Sequence, residues 1–213
     1  MRKMYLSAPL PFVGQKRMLA KEFMKVLEQY PDGTLFVDLF GGSGLLSHIT
    51  KSLKPHSTVI YNDFDNYRFR MKHIPQTNQL LADIREMVGN SVPRHKIIKG
   101  ELRERIFSRI EQEENSTGYV DFITLSSSIL FSMKYKLSVQ DMRKEALYNN
   151  IRKTGYPECT DYLEGLEIVS CDYKEVFNRY KDIPGVVFLV DPPYLSTDVG
   201  TYNMYWNMEI GRA

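Results

Sequence analysis

The chain has 213 residues, room for one large domain or one domain with a sizeable insertion. Its 43% hydrophobic and 25% charged residues are those of an ordinary globular protein, and a net charge of +2 is too small to imply a polyanionic partner. Cys159 and Cys171 have no paired spacing, which argues against a zinc site or a disulfide framework. Arg2 and Lys3 precede no apolar core of a signal peptide, and no run is long enough to cross a membrane. The expectation is a soluble, intracellular chain.

Ser7–Lys16 carries two prolines and a glycine and reads as a loop. A helix should follow, with Leu19, Phe23, Val26 and Leu27 at helical spacing, ending at Pro31-Asp32-Gly33. Lys16 stands just before this helix or in its first turn. A cation opposes the helix dipole there, so Lys16 is a candidate for holding a carboxylate. A plain surface lysine is the simpler alternative. Thr34–Asp38 reads as a strand, Leu39–Gly44 as a glycine-rich turn and Leu45–Leu53 as a helix. Strand, glycine turn and helix make the first unit of a Rossmann-like sheet. The spacing here is Gly42-x-Gly44, shorter than the dinucleotide pattern. Thr58–Asp63 is a second strand ending in an acid, placed to hold ribose hydroxyls. Asp63 could instead cap the next helix, and Asp65 competes for either task.

From residue 67 to 162 the pattern changes. Helices are expected around Leu80–Val88 and Leu102–Ile110, with a further one over Met142–Ile151, and no strand is evident. From Asn66 to Thr160 there are 16 Lys/Arg against 11 Asp/Glu, a mild basic excess. With Ser126-Ser127-Ser128 and Tyr135 nearby, this suits a nucleic-acid surface or, equally, a solvated helical subdomain. The expected organisation is an α/β domain over 1–66 and 163–213 with an inserted helical lobe over 67–162.

Leu166–Asp172 is a third strand ending in an acid, and Tyr173–Tyr180 a helix with Val176 and Phe177 inward. Val186–Val190 then reads as a strand buried on both faces, running into Asp191-Pro192-Pro193-Tyr194. The prolines lack N–H groups and fix φ, so the ladder stops in a stiff turn. At the carboxyl end of a strand, Asp191 and the Pro192 carbonyl can accept hydrogen bonds from an amine, and Tyr194 can stack on a ring.

These residues resemble a known family. Pro11-Phe12-Val13-Gly14-Gln15-Lys16, Asp38-Leu39-Phe40-Gly41-Gly42-Ser43-Gly44, Asn62-Asp63 and Asp191-Pro192-Pro193-Tyr194 are similar, in type and order, to the motifs of Dam-like (D12 class) S-adenosylmethionine-dependent DNA adenine methyltransferases. The resemblance implies a Rossmann-like methyltransferase sheet with an inserted helical target-recognition lobe. It implies transfer of a methyl group from S-adenosyl-L-methionine to the exocyclic amine of adenine in double-stranded DNA, without a metal. Asp38, Gly42 and Gly44 would line the cofactor's methionine part, and Phe40 would also bind the cofactor. Phe12 and Lys16 would close over it, with Lys16 near its carboxylate. Asp63 would hold the ribose, and Asp172 would lie beside the adenosyl group. Asp191 and Pro192 would bind the target amine in the turn stiffened by Pro193, and Tyr194 would stack on the flipped base. A cytoplasmic setting, bacterial or phage-infected, goes with that function, as does a restriction partner.

Only 19 residues follow Tyr194, fewer than the family uses to complete its sheet. The resemblance therefore leads to the expectation that C-terminal strands are missing, or that a second chain completes the fold. Two other readings stay open: methylation of an amine in RNA or protein, and a catalytically inactive protein that only binds cofactor or DNA.

Overall fold

The computed structural model describes residues 3–14, 16–131 and 134–192. In chain order the elements are α1 (Ala20–Glu28), β1 (Phe36–Asp38), α2 (Leu45–Leu53), β2 (Val59–Asn62), α3 (Tyr67–Lys72), α4 (Ile74–Val88) and β3 (Ile97–Ile98). There follow α5 (Gly100–Thr117), α6 (Phe122–Ile129), α7 (Val139–Arg143), β4 (Leu147–Tyr148), β5 (Glu167–Val169), α8 (Tyr173–Tyr180) and β6 (Val187–Leu189). They form two compact units: one holds the described residues up to Phe69 and from Cys159 onward, the other Arg70–Glu158.

In the first unit four parallel strands lie in the order β5-β2-β1-β6. From β1 the chain steps outward to β2 and β5, then crosses back to place β6 on the other side of β1. The direction of winding therefore reverses between β1 and β6, which in open α/β sheets is where a crevice forms. Side chains alternate across the sheet as strand geometry demands. Phe36, Val59 and Leu189 pack with Ala20 and Leu27 of α1 and Leu45 and Ile49 of α2. Val37, Ile60 and Phe188 pack on the other face with Val176 of α8. This is the mixed α/β, Rossmann-like arrangement expected. Covering β1 and β2 on both faces explains why those strands are continuous apolar runs.

Two local expectations differ, for β6 and for the outer residues of α1 and α8, while Lys16 takes the first of its two expected positions. β6 is the outer strand among the described residues, and Val190 is 62% exposed, so this segment is not buried on both faces. Leu19, Val26 and Phe177 are only partly covered, at 52%, 46% and 41% exposure, with Phe177 meeting Phe188 of β6 at 5.0 Å between ring centroids. Lys16 lies ahead of α1, its carbonyl accepting from the Leu19 amide at 2.9 Å, so the helix dipole acts on it only weakly.

The second unit packs α4 against α5 and α6, and α5 against α7. It is not strand-free: β3 and β4 pair antiparallel, Ile97 with Tyr148 and Ile98 with Leu147. The helix expected over Met142–Ile151 ends at Arg143, and Leu147–Tyr148 is strand instead. α6 was not legible because its serines suggest a loop. Asp121 caps it through the Thr124 amide, and the Ser126, Ser127 and Ser128 hydroxyls bond carbonyls three or four residues back. Ser126 and Ser128 are consequently buried and offer no surface to a nucleic acid.

Asn62, at the end of β2, ties three strands together. Its Nδ2 donates to the Leu39 carbonyl at 3.0 Å and the Cys171 carbonyl at 2.9 Å, and its Oδ1 accepts from the Cys171 amide at 3.1 Å. Removing that side chain leaves those backbone groups unpaired in a site where Asn62 itself is 1% exposed. Asn62→Ala is expected to lower unfolding free energy by about 2–4 kcal/mol in urea titration, whereas Asn115→Ala on exposed α5 should change it by less than about 0.5 kcal/mol.

Candidate functional site

The glycine turn follows directly from β1. Gly42 and Gly44 have φ of +49° and +72°, conformations that L side chains rarely adopt, and Gly44 is the N-cap of α2. Gly41 is needed for a different reason: a Cβ there would sit 2.3 Å from the Tyr61 ring. Tyr61 fills the space beneath the turn, and its hydroxyl lies 2.8 Å from the Gly42 carbonyl and 3.0 Å from Asp63 Oδ1.

Asp38 ends β1 and is buried, at 1% exposure. Its Oδ2 accepts from Ser47 Oγ at 2.7 Å, while Oδ1 meets no hydrogen-bond donor among the described residues. Burial pushes the Asp38 carboxyl up to about 7; the Ser47 hydrogen bond opposes the rise and the Asp191 charge adds to it. An unpaired buried carboxylate oxygen is costly, and a cation placed there would relieve the cost.

β6 delivers Asp191 to the same place. Leu189 pairs with Asp38 in register, so Asp191 leaves the sheet two residues beyond the partner of Asp38, on the adjacent parallel strand. The opening segment crosses these strand ends. Phe12 lies over Gly42, 3.0 Å from where a Cβ would be, and meets Tyr67 edge-on at 5.8 Å. The Tyr67 hydroxyl is paired with the Leu10 amide and carbonyl and fixes this segment. Lys16 Nζ sits 2.9 Å from Asp191 Oδ1, with the two side chains only 17% and 23% exposed. Phe12, Lys16, Asp38, Gly42, Gly44 and Asp191 thus lie near one another at the carboxyl ends of β1 and β6. Lys16 is engaged by Asp191, a partner that its lone position in the sequence did not suggest.

The remaining candidates stand further out. Asp63 is 4% exposed and accepts from the Tyr67 and Arg68 amides at 2.6 and 3.0 Å, capping α3. Burial raises its pKa, while those amides and the Tyr61 hydroxyl hold it down. Asp172 is exposed at the end of β5 and caps α8, its Oδ1 accepting from the Lys174 amide at 2.8 Å. Phe40 stacks on Tyr173, centroids 4.9 Å apart, on the α8 side of the sheet. Pro192 is half-buried; Pro193 and Tyr194 lie outside the described residues. Tyr61 and Asn62 are the residues that sequence reasoning left without a role. Their signal was a polar tip on an otherwise apolar strand immediately before an acid. Among the described residues no cluster of His, Cys, Asp or Glu could hold a metal ion. No helix among them is long and apolar enough to cross a membrane.

The family model of the D12 class N6 adenine-specific DNA methyltransferase matches residues 12–211. The chain belongs to that family. A relative from Haemophilus influenzae (strain ATCC 51907 / DSM 11121 / KW20 / Rd), described as a putative methyltransferase, is 40% identical over 205 residues, covering 94% of this chain and 68% of the relative. Membership of the D12 class makes this a methyltransferase-type α/β sheet, and the match begins at Phe12, the residue lying on the glycine turn.

Asp38 gives the D12-class site a pH signature. Its folded pKa lies above its unfolded value, so its contribution to stability is complete below about pH 4 and is lost as pH rises through about 7. Ligand-free protein should therefore lose about 2 kcal/mol relative to Asp38→Asn between pH 5 and pH 8, measured by urea unfolding at both values.

Proposed function

We propose that this chain transfers the methyl group of S-adenosyl-L-methionine to the exocyclic N6 amine of adenine in double-stranded DNA. The observation that carries the reading is the meeting of the Asp38–Gly44 turn and Asp191 at adjacent strand ends, where β1 and β6 part.

The donor set suits this cofactor. Asp38 Oδ1, buried without a donor among the described residues, suits the ammonium of the methionine part. The amino end of α2, which has no acid in its first turn, suits the carboxylate. The glycine turn allows close approach, with Phe12 laid across it. For the ribose, Asp63 retains lone pairs beyond those used by the α3 amides. Asp172 stands at the end of β5 for the adenosyl side. When bound, S-adenosylmethionine supplies a methyl group on a sulfonium, an electrophile that needs no further activation.

The protein's share of the work is then positional and electrostatic. The adenine amine is a weak nucleophile because its lone pair is delocalised into the ring. Asp191 and the Pro192 carbonyl are acceptors for its two hydrogens, which favours a pyramidal nitrogen with its lone pair free. Asp191 is also the base nearest to the proton the nitrogen must give up. In the resting structure the Lys16 ammonium holds the oxygen that the target amine needs. It keeps that carboxylate paired until a substrate amine replaces it. Tyr194, following the prolines, is the proposed stacking partner for a base drawn out of the duplex. The helical unit Arg70–Glu158 is the proposed recognition lobe, and a cytoplasmic setting accompanies a DNA substrate.

The test is incorporation of labelled methyl from S-adenosylmethionine into unmethylated duplex DNA, with N6-methyladenine identified by mass spectrometry. Asp191→Ala should reduce kcat by about 10²–10⁴-fold while cofactor affinity stays within about threefold. Label entering only RNA or protein, or no transfer despite cofactor binding, would overturn the assignment.

A further inference from the structure

The basic excess of the helical unit is not spread over it. Outside two stretches, seven of its ten Lys/Arg are paired with acids, Arg70 with Asp121 and Arg103 with Glu104 among them. Arg143 bonds Glu104 and Glu111, Arg109 bonds Asp83 and Glu113, Lys134 and Lys136 share Glu145, and Lys144 meets Asp141. Those two stretches differ. Residues 89–100 and 146–157 contain no Asp or Glu, and between them carry Arg94, Lys96, Lys99, Arg152 and Lys153. Within Arg70–Glu158 there are 15 Lys/Arg and 11 Asp/Glu, and without these five cations the balance would be 10 against 11.

The fold brings the two stretches together although about 50 residues separate them. β3 pairs with β4, and the pairing continues outward. The His95 amide donates to the Asn149 carbonyl at 3.0 Å, and the Asn149 amide to the Lys96 carbonyl at 2.9 Å. Arg94 Nη1 donates to the Ile151 carbonyl at 2.7 Å, and Arg85 Nε to the Arg152 carbonyl at 2.9 Å. The Arg152 guanidinium lies 4.3 Å over the Tyr156 ring. All five side chains are exposed, and none makes an ion pair among the described residues. A solvated surface normally intersperses acids with its cations, and these two paired stretches contain none. Like charges held side by side repel one another, and a polyanion relieves that repulsion.

We infer that the β3–β4 edge is a docking surface for the phosphate backbone of duplex DNA. The inference rests on the function proposed above and adds the surface that holds the substrate. Its cations contact phosphates and not base edges, so they supply affinity and salt dependence without choosing the sequence.

The experiment is a salt titration of duplex binding by fluorescence anisotropy, with S-adenosylhomocysteine present. It compares wild type with the Lys96→Gln/Lys99→Gln/Lys153→Gln variant. A control, Lys134→Gln/Lys136→Gln/Lys144→Gln, removes equal charge from the paired lysines of the same unit. The first variant should reduce the slope of log K against log salt by about 2–3 and weaken binding at least tenfold near 0.15 M salt. Its cofactor affinity and its preference among duplex sequences should be unchanged. The control should keep the slope within about one. A first variant that retains the wild-type slope, or a control that loses as much, overturns the surface alone. Wild type that takes up cofactor but binds no duplex overturns the surface together with the function it rests on.

Discussion

The parallel pairing of β1 with β6 is the constraint on which the site depends. Strand pairing sets neighbouring backbones about 5 Å apart. Register places Asp38 opposite Leu189, so the glycine turn and Asp191 must emerge side by side from the same edge of the sheet. Everything else in the first unit serves that juxtaposition. Asn62 locks the ends of β1, β2 and β5 together, Tyr61 supports the turn from below, and Tyr67 fastens the opening segment across the top. The crevice is thus held by backbone ladders and buried hydrogen bonds, not by long flexible side chains.

The two carboxylates at the ends of β1 and β6 stand in different electrostatic surroundings. Asp38 is buried with one oxygen lacking a donor among the described residues, and its carboxyl is pushed up to about 7. Such an arrangement costs stability and is retained where it serves chemistry. Asp191, by contrast, is kept in check by Lys16. The two carboxylates therefore await different partners. In the proposed function the first would take the ammonium of the cofactor, and the second would exchange Lys16 for a substrate amine.

The sheet was legible in the sequence because its strands are short apolar runs punctuated by Gly, Asp and Pro. The helices Leu45–Leu53 and Tyr173–Tyr180 have their boundaries where periodicity put them. The grouping of Asp38 and Asp191 followed from placing each at a strand's carboxyl end, whereas Phe12 and Lys16 were joined to them by the family resemblance alone. Pairings between distant residues were not legible, since nothing local encodes them. Lys16 with Asp191, and Tyr61 with the Gly42 carbonyl, arise only when the sheet is assembled. α6 was missed because its serines satisfy their own helix backbone, which sequence alone presents as loop composition. β3 and β4 were missed because two-residue strands have no periodicity to detect.

The second unit adds charge organisation to this frame. Its ion-paired helices are electrically neutral on balance, and its excess is concentrated where β3 meets β4. The central claim, that the glycine turn and Asp191 together bind one ligand, is tested most directly by a crystal structure with S-adenosylhomocysteine bound. The account predicts the ligand's amino group within hydrogen-bonding distance of Asp38 Oδ1 and its sulfur facing Asp191 across the β1–β6 crevice. Ligand density anywhere else on the sheet, with Asp38 Oδ1 still unbonded, would contradict it.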